Sequence, residues 1–192
     1  KGTEVHYVKF SIEKLDLSTA ALSIKDSKTP QSNTDALLSG LLGAASADAR
    51  VTSVKDPKGG NDLAAGQGLY EVSIAAEKDS ENVTGSTTVK FWVLGVDLKE
   101  DNSASVNYGS DADGSVAISL ADGESFDASK IKVVDGDVTY KGGKLEVSYT
   151  DTKTGKTVEA SSLANPGSYK ATVRVVPFQD DDDNWVGGSF EL

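Results

Sequence analysis

The chain carries an internal repeat, which narrows the architectures open to it more than any single motif does. Residues 68–74 read GLYEVSI and residues 167–173 read GSYKATV, in each case a glycine, one residue, a tyrosine and then a strand-like alternation. Upstream, VTSVKDPKGGN (51–61) aligns with EVSYTDTKTGK (146–156), so that Asp56, Lys58 and Gly60 match Asp151, Lys153 and Gly155. Downstream, NVTGSTTVKFWV (82–93) parallels NWVGGSFEL (184–192). Three matching segments in one order imply two copies of a supersecondary unit. The reading is two modules, 1–97 and 98–192, with the polar stretch GVDLKEDNSASVN (95–107) as the boundary region. The second copy stops at SFEL where the first continues TTVKFWVLGV, which predicts a truncated last strand.

Within each copy the apolar residues alternate with period two, the mark of a half-buried strand. His6, Val8, Phe10 and Ile12 share one face, as do Val116, Ile118 and Leu120. The same holds for Ile131 and Val133, for Leu145, Val147 and Tyr149, and for Tyr169, Ala171, Val173 and Val175. Turn sequences separate these runs: DPKGGN, DTKTG, YKGGK and VDGDV put glycine where a hairpin needs positive φ. About seven short strands with turns every 8–12 residues suggest a β-sandwich. The predicted fold class is therefore all-β, with two tandem sandwich modules.

The run LEVSYTDTKTGKTVEASSLANPGSYKATVRVV (145–176) resembles the C-terminal half of a bacterial immunoglobulin-like domain. The pattern there is a strand, an acidic turn ending in glycine, then Pro-Gly-x-Tyr and an alternating strand. Here the last element is Pro166, Gly167, Ser168, Tyr169. The first copy matches with Gly68, Leu69, Tyr70 but lacks the proline. The resemblance covers a third to a half of each module. It implies tandem Ig-like domains of a surface or secreted protein, with the tyrosine hydroxyl bonding a nearby backbone group as a structural corner.

One element has no counterpart in the second copy. In NTDALLSGLLGAASADA (33–49), Leu37, Leu38, Leu41, Leu42 and Ala45 fall at helical spacing, with Asn33 or Thr34 as N-cap and Asp35 in the first turn. This predicts a short helix inserted in the first module. Its leucines either cover an open edge of the sandwich or form a patch for a partner; the lack of basic residues argues against a membrane-surface helix.

Composition removes several functions. A net charge of −11 repels nucleic acid phosphates and anionic membrane surfaces. The absence of Cys excludes a disulfide scaffold and a thiolate metal site. No apolar stretch approaches the about 20 residues of a membrane span. The absence of Met at position 1 marks a mature chain or excised fragment. A single histidine, His6, sits among apolar residues early in a strand, where a triad is improbable, and no glycine-rich phosphate loop occurs. The Asn82-Val83-Thr84 sequon is read as a chance match inside a hairpin.

Two acidic turns are the candidate metal sites, and calcium is the one cofactor they suggest. Asp111 and Asp113 lie in SDADGS (110–115), with Asn107 as a further oxygen; Asp180 and Asp182 lie in FQDDDDNW (178–185). Alternate carboxylates in a tight turn can converge on a hard cation. The competing reading of both is a solvated polar turn. The repeat places FQDDDDNW opposite DSEN (79–82), at a hairpin tip where water screens the repulsion. Trp185, beside that tip, is the candidate ligand contact, and Trp92 is a second aromatic whose face the sequence leaves open.

These readings converge on a non-catalytic structural or adhesive module of a bacterial cell-surface or secreted protein. It would act as a spacer and contact a host or cell-wall protein or glycan through end loops. The expected location is extracellular or at the cell surface, the expected state monomeric, without membrane insertion. The alternative is a carbohydrate-binding accessory region of a secreted enzyme, which an aromatic platform at Trp185 would favour.

Overall fold

A computed structural model describes residues 13–101, 104–108, 127–135, 138–139, 143–164 and 167–191. The expected strands around His6 and around Val116 to Leu120 lie outside these residues, as does Pro166. The described residues are mostly β-strand with one short α-helix, and no helix among them is long and apolar enough to cross a membrane. Two compact units emerge, each assembled from separate stretches of chain. Lys1–Ile24, Gln31–Ala65 and Leu69–Phe91 make the first; Lys25–Pro30, Gly66–Gly68 and Trp92–Leu192 make the second.

In the first unit, β1 (Leu15–Asp16) pairs in parallel with β4 (Val83–Thr84). β2 (Ala49–Lys55), β3 (Gly68–Ala76) and β5 (Ser86–Val93) form a three-stranded sheet in that order, with Gly68 at the start of β3 and Trp92 and Val93 at the end of β5 assigned to the second unit. The central strand β3 shows why period two matters. Tyr70, Val72 and Ile74 are fully buried, while the residues between them are half-buried. The Tyr70 ring stacks on Phe91 with centroids 5.2 Å apart, worth about 1 kcal/mol beyond the area buried. The predicted helix is present as α1 (Thr34–Leu42), with Asn33 as its N-cap: the Asn33 Oδ1 accepts the Ala36 N–H at 2.8 Å. Leu37 and Leu38 are its buried residues, and α1 packs on β2 and on the 3-10 turn Gly43–Asp48. Gly43, at φ 55, ends the helix in the left-handed region.

Among the described residues the second unit contains two sheets. Its strands are β6 (Val96–Asp97), β7 (Ser105–Tyr108), β8 (Ile131–Asp135), β9 (Val138–Thr139), β10 (Leu145–Asp151), β11 (Thr157–Val158), β12 (Tyr169–Gln179) and β13 (Trp185–Glu191). One sheet has the order β11-β10-β12-β13-β6 and the other β7-β8-β9. Both supply one apolar cluster: Val106, Ile131 and Val133 from the smaller sheet, Val173, Val175, Val186 and Phe190 from the larger. β12 pairs antiparallel with β10 on one side and β13 on the other. Its ladder shifts between Val175 and Phe178, so the irregularity spans Pro177, which has no N–H to give. The Tyr169 hydroxyl donates to the Ser162 carbonyl at 3.1 Å, with the side chain half-buried.

The matched aspartates build related turns. Asp56 is buried, and its carboxylate accepts the N–H groups of Lys58 (2.7 Å), Gly60 (3.0 Å) and Asp62 (3.0 Å). The Asp151 carboxylate accepts those of Lys153 (2.8 Å) and Thr154 (2.9 Å). The left-handed glycine is Gly59 (φ 81) in the first turn and Gly155 (φ 67) in the second. The turns close at Gly60 and Lys156 respectively, so the second is one residue longer. The pairing of Gly60 with Gly155 in the sequence alignment is thus displaced by one position in the backbone.

The stretch 95–107, read from sequence as a polar boundary, is built into the second unit. β6 pairs in parallel with β13 through Val96↔Val186 and Asp97↔Gly187. Leu98 is fully buried and Val106 is 3% exposed, both in the shared cluster. Lys99, Glu100 and Asp101 are held in a turn in which Asp97 Oδ1 accepts the N–H groups of Lys99 and Glu100, while Asp101 Oδ2 accepts that of Asp97. Leu98→Ala is therefore expected to cost about 2–5 kcal/mol in urea unfolding. A linker residue would change stability by less than about 0.5 kcal/mol, and such a value would remove Leu98 from the core.

The Asp56 turn is also sensitive to acid. The Asp62 N–H, then those of Gly60 and Lys58 and the Lys58 charge, hold its carboxyl below the ordinary carboxylate value, against the opposing effect of burial. Because folding lowers this pKa, its contribution is complete above the unfolded value of 3.8 and disappears as pH falls through the lower folded value. Asp56→Asn puts an amide donor against a backbone donor. The variant should be less stable than the native chain at pH 7, and the gap should narrow below about pH 4. A gap that stays constant across that range would contradict the cradle.

Candidate functional site

The surface feature that best fits a binding site lies in the second unit, where Trp92 and Trp185 come together. Their ring centroids are 4.3 Å apart and their planes tilt by 48°. Both are half-buried, so they present one composite apolar face instead of two separate platforms. Trp185, expected to be exposed at a loop edge, is partly covered because Trp92 packs on it.

The polypeptide fixes each indole by its backbone. Trp185 opens β13, opposite Gln179. Its N–H donates to Gln67 Oε1 at 3.0 Å, and its carbonyl accepts the Gly95 N–H at 2.8 Å. Gln67 Nε2 reaches Asn184 Oδ1 at 3.5 Å. A Cβ at Gly95 would meet the Gln67 amide, so a side chain there would displace that amide from the Trp185 N–H. Trp92 donates its N–H to Asp26 Oδ1 at 2.9 Å. Asp26 Oδ2 accepts both Nε and Nη2 of Arg174, each at 2.7 Å, and Arg174 Nη1 donates to Glu146 Oε2 at 2.8 Å. The backbones of the two tryptophans are thus tied, at Trp185, to the Gln67 and Asn184 amides and, at Trp92 through Asp26, to a guanidinium held between two carboxylates.

The acidic run sits at the tip of the β12–β13 hairpin. Asp180 directs its carboxylate inward: Oδ1 accepts the N–H groups of Asp182 (3.0 Å) and Asn184 (2.8 Å), and Asn184 Nδ2 approaches Oδ2 at 3.4 Å. The Asp180 N–H donates to the Asn184 carbonyl, and Asp183 adopts φ 61 to complete the turn. Asp181, Asp182 and Asp183 are exposed. Asp180 and Asp182 are therefore joined through a backbone N–H. Among the described residues no three His, Asp or Glu side chains are grouped to hold a metal. Asp111 and Asp113 lie outside the described residues. Asn107 lies in β7 with its Oδ1 buried. Asn82, of the sequon, donates its amide to Asp48 Oδ2 at 2.9 Å.

Trp185 was legible as a site residue because it adjoins a charged loop. Trp92 was named as a second aromatic, but its face was left open; Gln67, Asp26 and Arg174 were not legible, since each meets its partner through pairing across long sequence separations. No family model matches the chain, and no curated protein matches it.

The four aspartates are not equivalent. Asp180→Ala removes the acceptor of two turn N–H groups and is expected to lower stability by about 1–2 kcal/mol. Asp182→Asn, which touches the turn only by its backbone, should stay within about 0.5 kcal/mol. Thermal melts of both variants, with and without calcium, distinguish the roles. Equal losses that appear only in calcium would assign the tip to the ion.

Proposed function

We propose that this chain is a non-catalytic structural or adhesive module of a bacterial cell-surface or secreted protein, built from tandem Ig-like β-sandwich modules. The observation that carries the reading is the recurrence of one three-strand arrangement. In β2-β3-β5 and in β10-β12-β13 the Gly-x-Tyr strand is central, and an aspartate turn follows the strand before it. Further support comes from the two sheets sharing one cluster in the second unit and from the Tyr169 hydroxyl tie. A module of this kind presents loops at its ends while its sheets stay rigid, which suits a spacer on an outer surface. The −11 charge favours solubility and disfavours phosphate-bearing partners.

A second reading, a carbohydrate-binding accessory region of a secreted enzyme, is favoured by one observation, the Trp92–Trp185 pair bordered by Gln67 and Asn184. Indole faces stack on the C–H face of a sugar ring, and amides bond its hydroxyls.

A glycan array separates the two. An array on which the native chain retains no glycan counts against the accessory region and leaves the structural module standing. Glycan retention that is lost in Trp185→Ala, with the thermal midpoint little changed, would replace the spacer with the accessory region.

A further inference from the structure

We propose that residues 25–30 form a strap that shields the body of the first unit from tension applied along the chain; the use of such a device rests on the spacer reading above. The strap belongs to the second unit although it precedes most of the first in sequence. Ser27 forms a parallel bridge with Val93, its N–H donating to the Trp92 carbonyl at 3.2 Å and its carbonyl accepting the Leu94 N–H at 2.9 Å. Asp26 is the side-chain latch. Its exposure is 9%, one oxygen takes the Trp92 N–H, and the other takes two donors from Arg174. Lys28 adds a half-exposed ion pair with Asp101 at 2.5 Å, whose contribution is small.

The consequence follows from connectivity. Strap and partner pin residue 27 beside residue 93, so everything between them is a closed loop. Tension arriving from residue 24 enters the strap and crosses its hydrogen bonds to residues 92–94 and Arg174. It need not pass through β2, β3 or the part of β5 before Trp92, which lie in the loop. The pairing is parallel, so ends pulled in opposite directions slide the two segments past each other and strain the bonds together. An antiparallel pair pulled from adjacent ends would open one bond at a time. The partly buried Asp26–Arg174 contact reinforces the same junction, because breaking it leaves both charges poorly solvated. The β1–β4 pair repeats the arrangement inside the first unit, with the Leu15 N–H donating to the Asn82 carbonyl and the Leu17 N–H to that of Thr84.

Stretching single molecules of the whole chain between handles at its two ends tests this. The shielded loop, residues 28–92, is 65 residues, so its release and unfolding add about 220 Å of extended chain. The chain has no Cys, so Ser27→Cys with Val93→Cys introduces one disulfide across the bridge. The step lost on oxidation and restored on reduction is the loop. The expected result is that Asp26→Ala releases this step at a lower force than the native chain, with its length unchanged. Glu146→Gln, which spares the Asp26 contacts, should lower the force less. If Asp26→Ala does not fold, Arg174→Lys removes the doubled donor and carries the same expectation. Release at the native force in a folded latch variant overturns the proposal. Glycan retention bears on the spacer reading alone and leaves the clamp standing, so the two failures are distinguishable.

Discussion

The second unit depends on the position of β12 as a strand hydrogen-bonded on both edges and buried on one face. Such a strand has one admissible register. A slip of one residue would replace Ala171, Val173 and Val175 in the core with Lys170, Thr172 and Arg174. Once that register is set, β10 and β13 are fixed beside it, and Arg174 must face away from the core. That is where it meets Asp26 and Glu146. The ladder irregularity at Pro177 then returns Phe178 to the cluster, and the hairpin carries Asp180 to the tip and Trp185 to the start of β13. The exposed chemistry of this unit is thus a consequence of how its buried face is arranged.

The first unit obeys the same constraint with different side chains. β3 is central and buries Tyr70, Val72 and Ile74. The equivalent tyrosines do different work: Tyr70 is fully buried and stacked on Phe91, whereas Tyr169 is half-buried and ties its hydroxyl to Ser162. The two aspartate turns differ as well, since Asp56 is buried under three backbone donors and Asp151 takes two. The two sheets share a central tyrosine strand, because the register demands a buried face, while the contacts that stabilise each differ.

What could be read from sequence was what is local. The helix cap at Asn33, the buried leucines beyond it, the alternation of β3, β10 and β12 and the aspartate turns all depend on neighbours within a few residues. The fate of 95–107 was not legible. Its polarity suggested a boundary, yet Leu98 and Val106 are buried by strands that come from elsewhere in the chain. The candidate site divides in the same way. The hairpin tip and Trp185 were located through the repeat, while the face of Trp92 and the part played by Gln67 emerged only from a long-range ring contact and a side-chain hydrogen bond. The acidic tip looked like a cluster of four equivalent carboxylates. The backbone separates them, turning Asp180 inward to hold the turn and leaving three in water.

The strap and the indole pair meet at Trp92. Its carbonyl and N–H are held by Ser27 and Asp26, and its ring rests on Trp185. The two features are therefore linked thermodynamically. A ligand that binds the paired rings only while the strap is docked must stabilise the docked state by the free energy of that preference, and tension that frees the strap must weaken such a ligand equally. A ligand indifferent to the strap leaves it unchanged, however tightly it binds. Reciprocity of this kind would allow one residue to serve both a mechanical and a recognition role, because each would act on the same equilibrium.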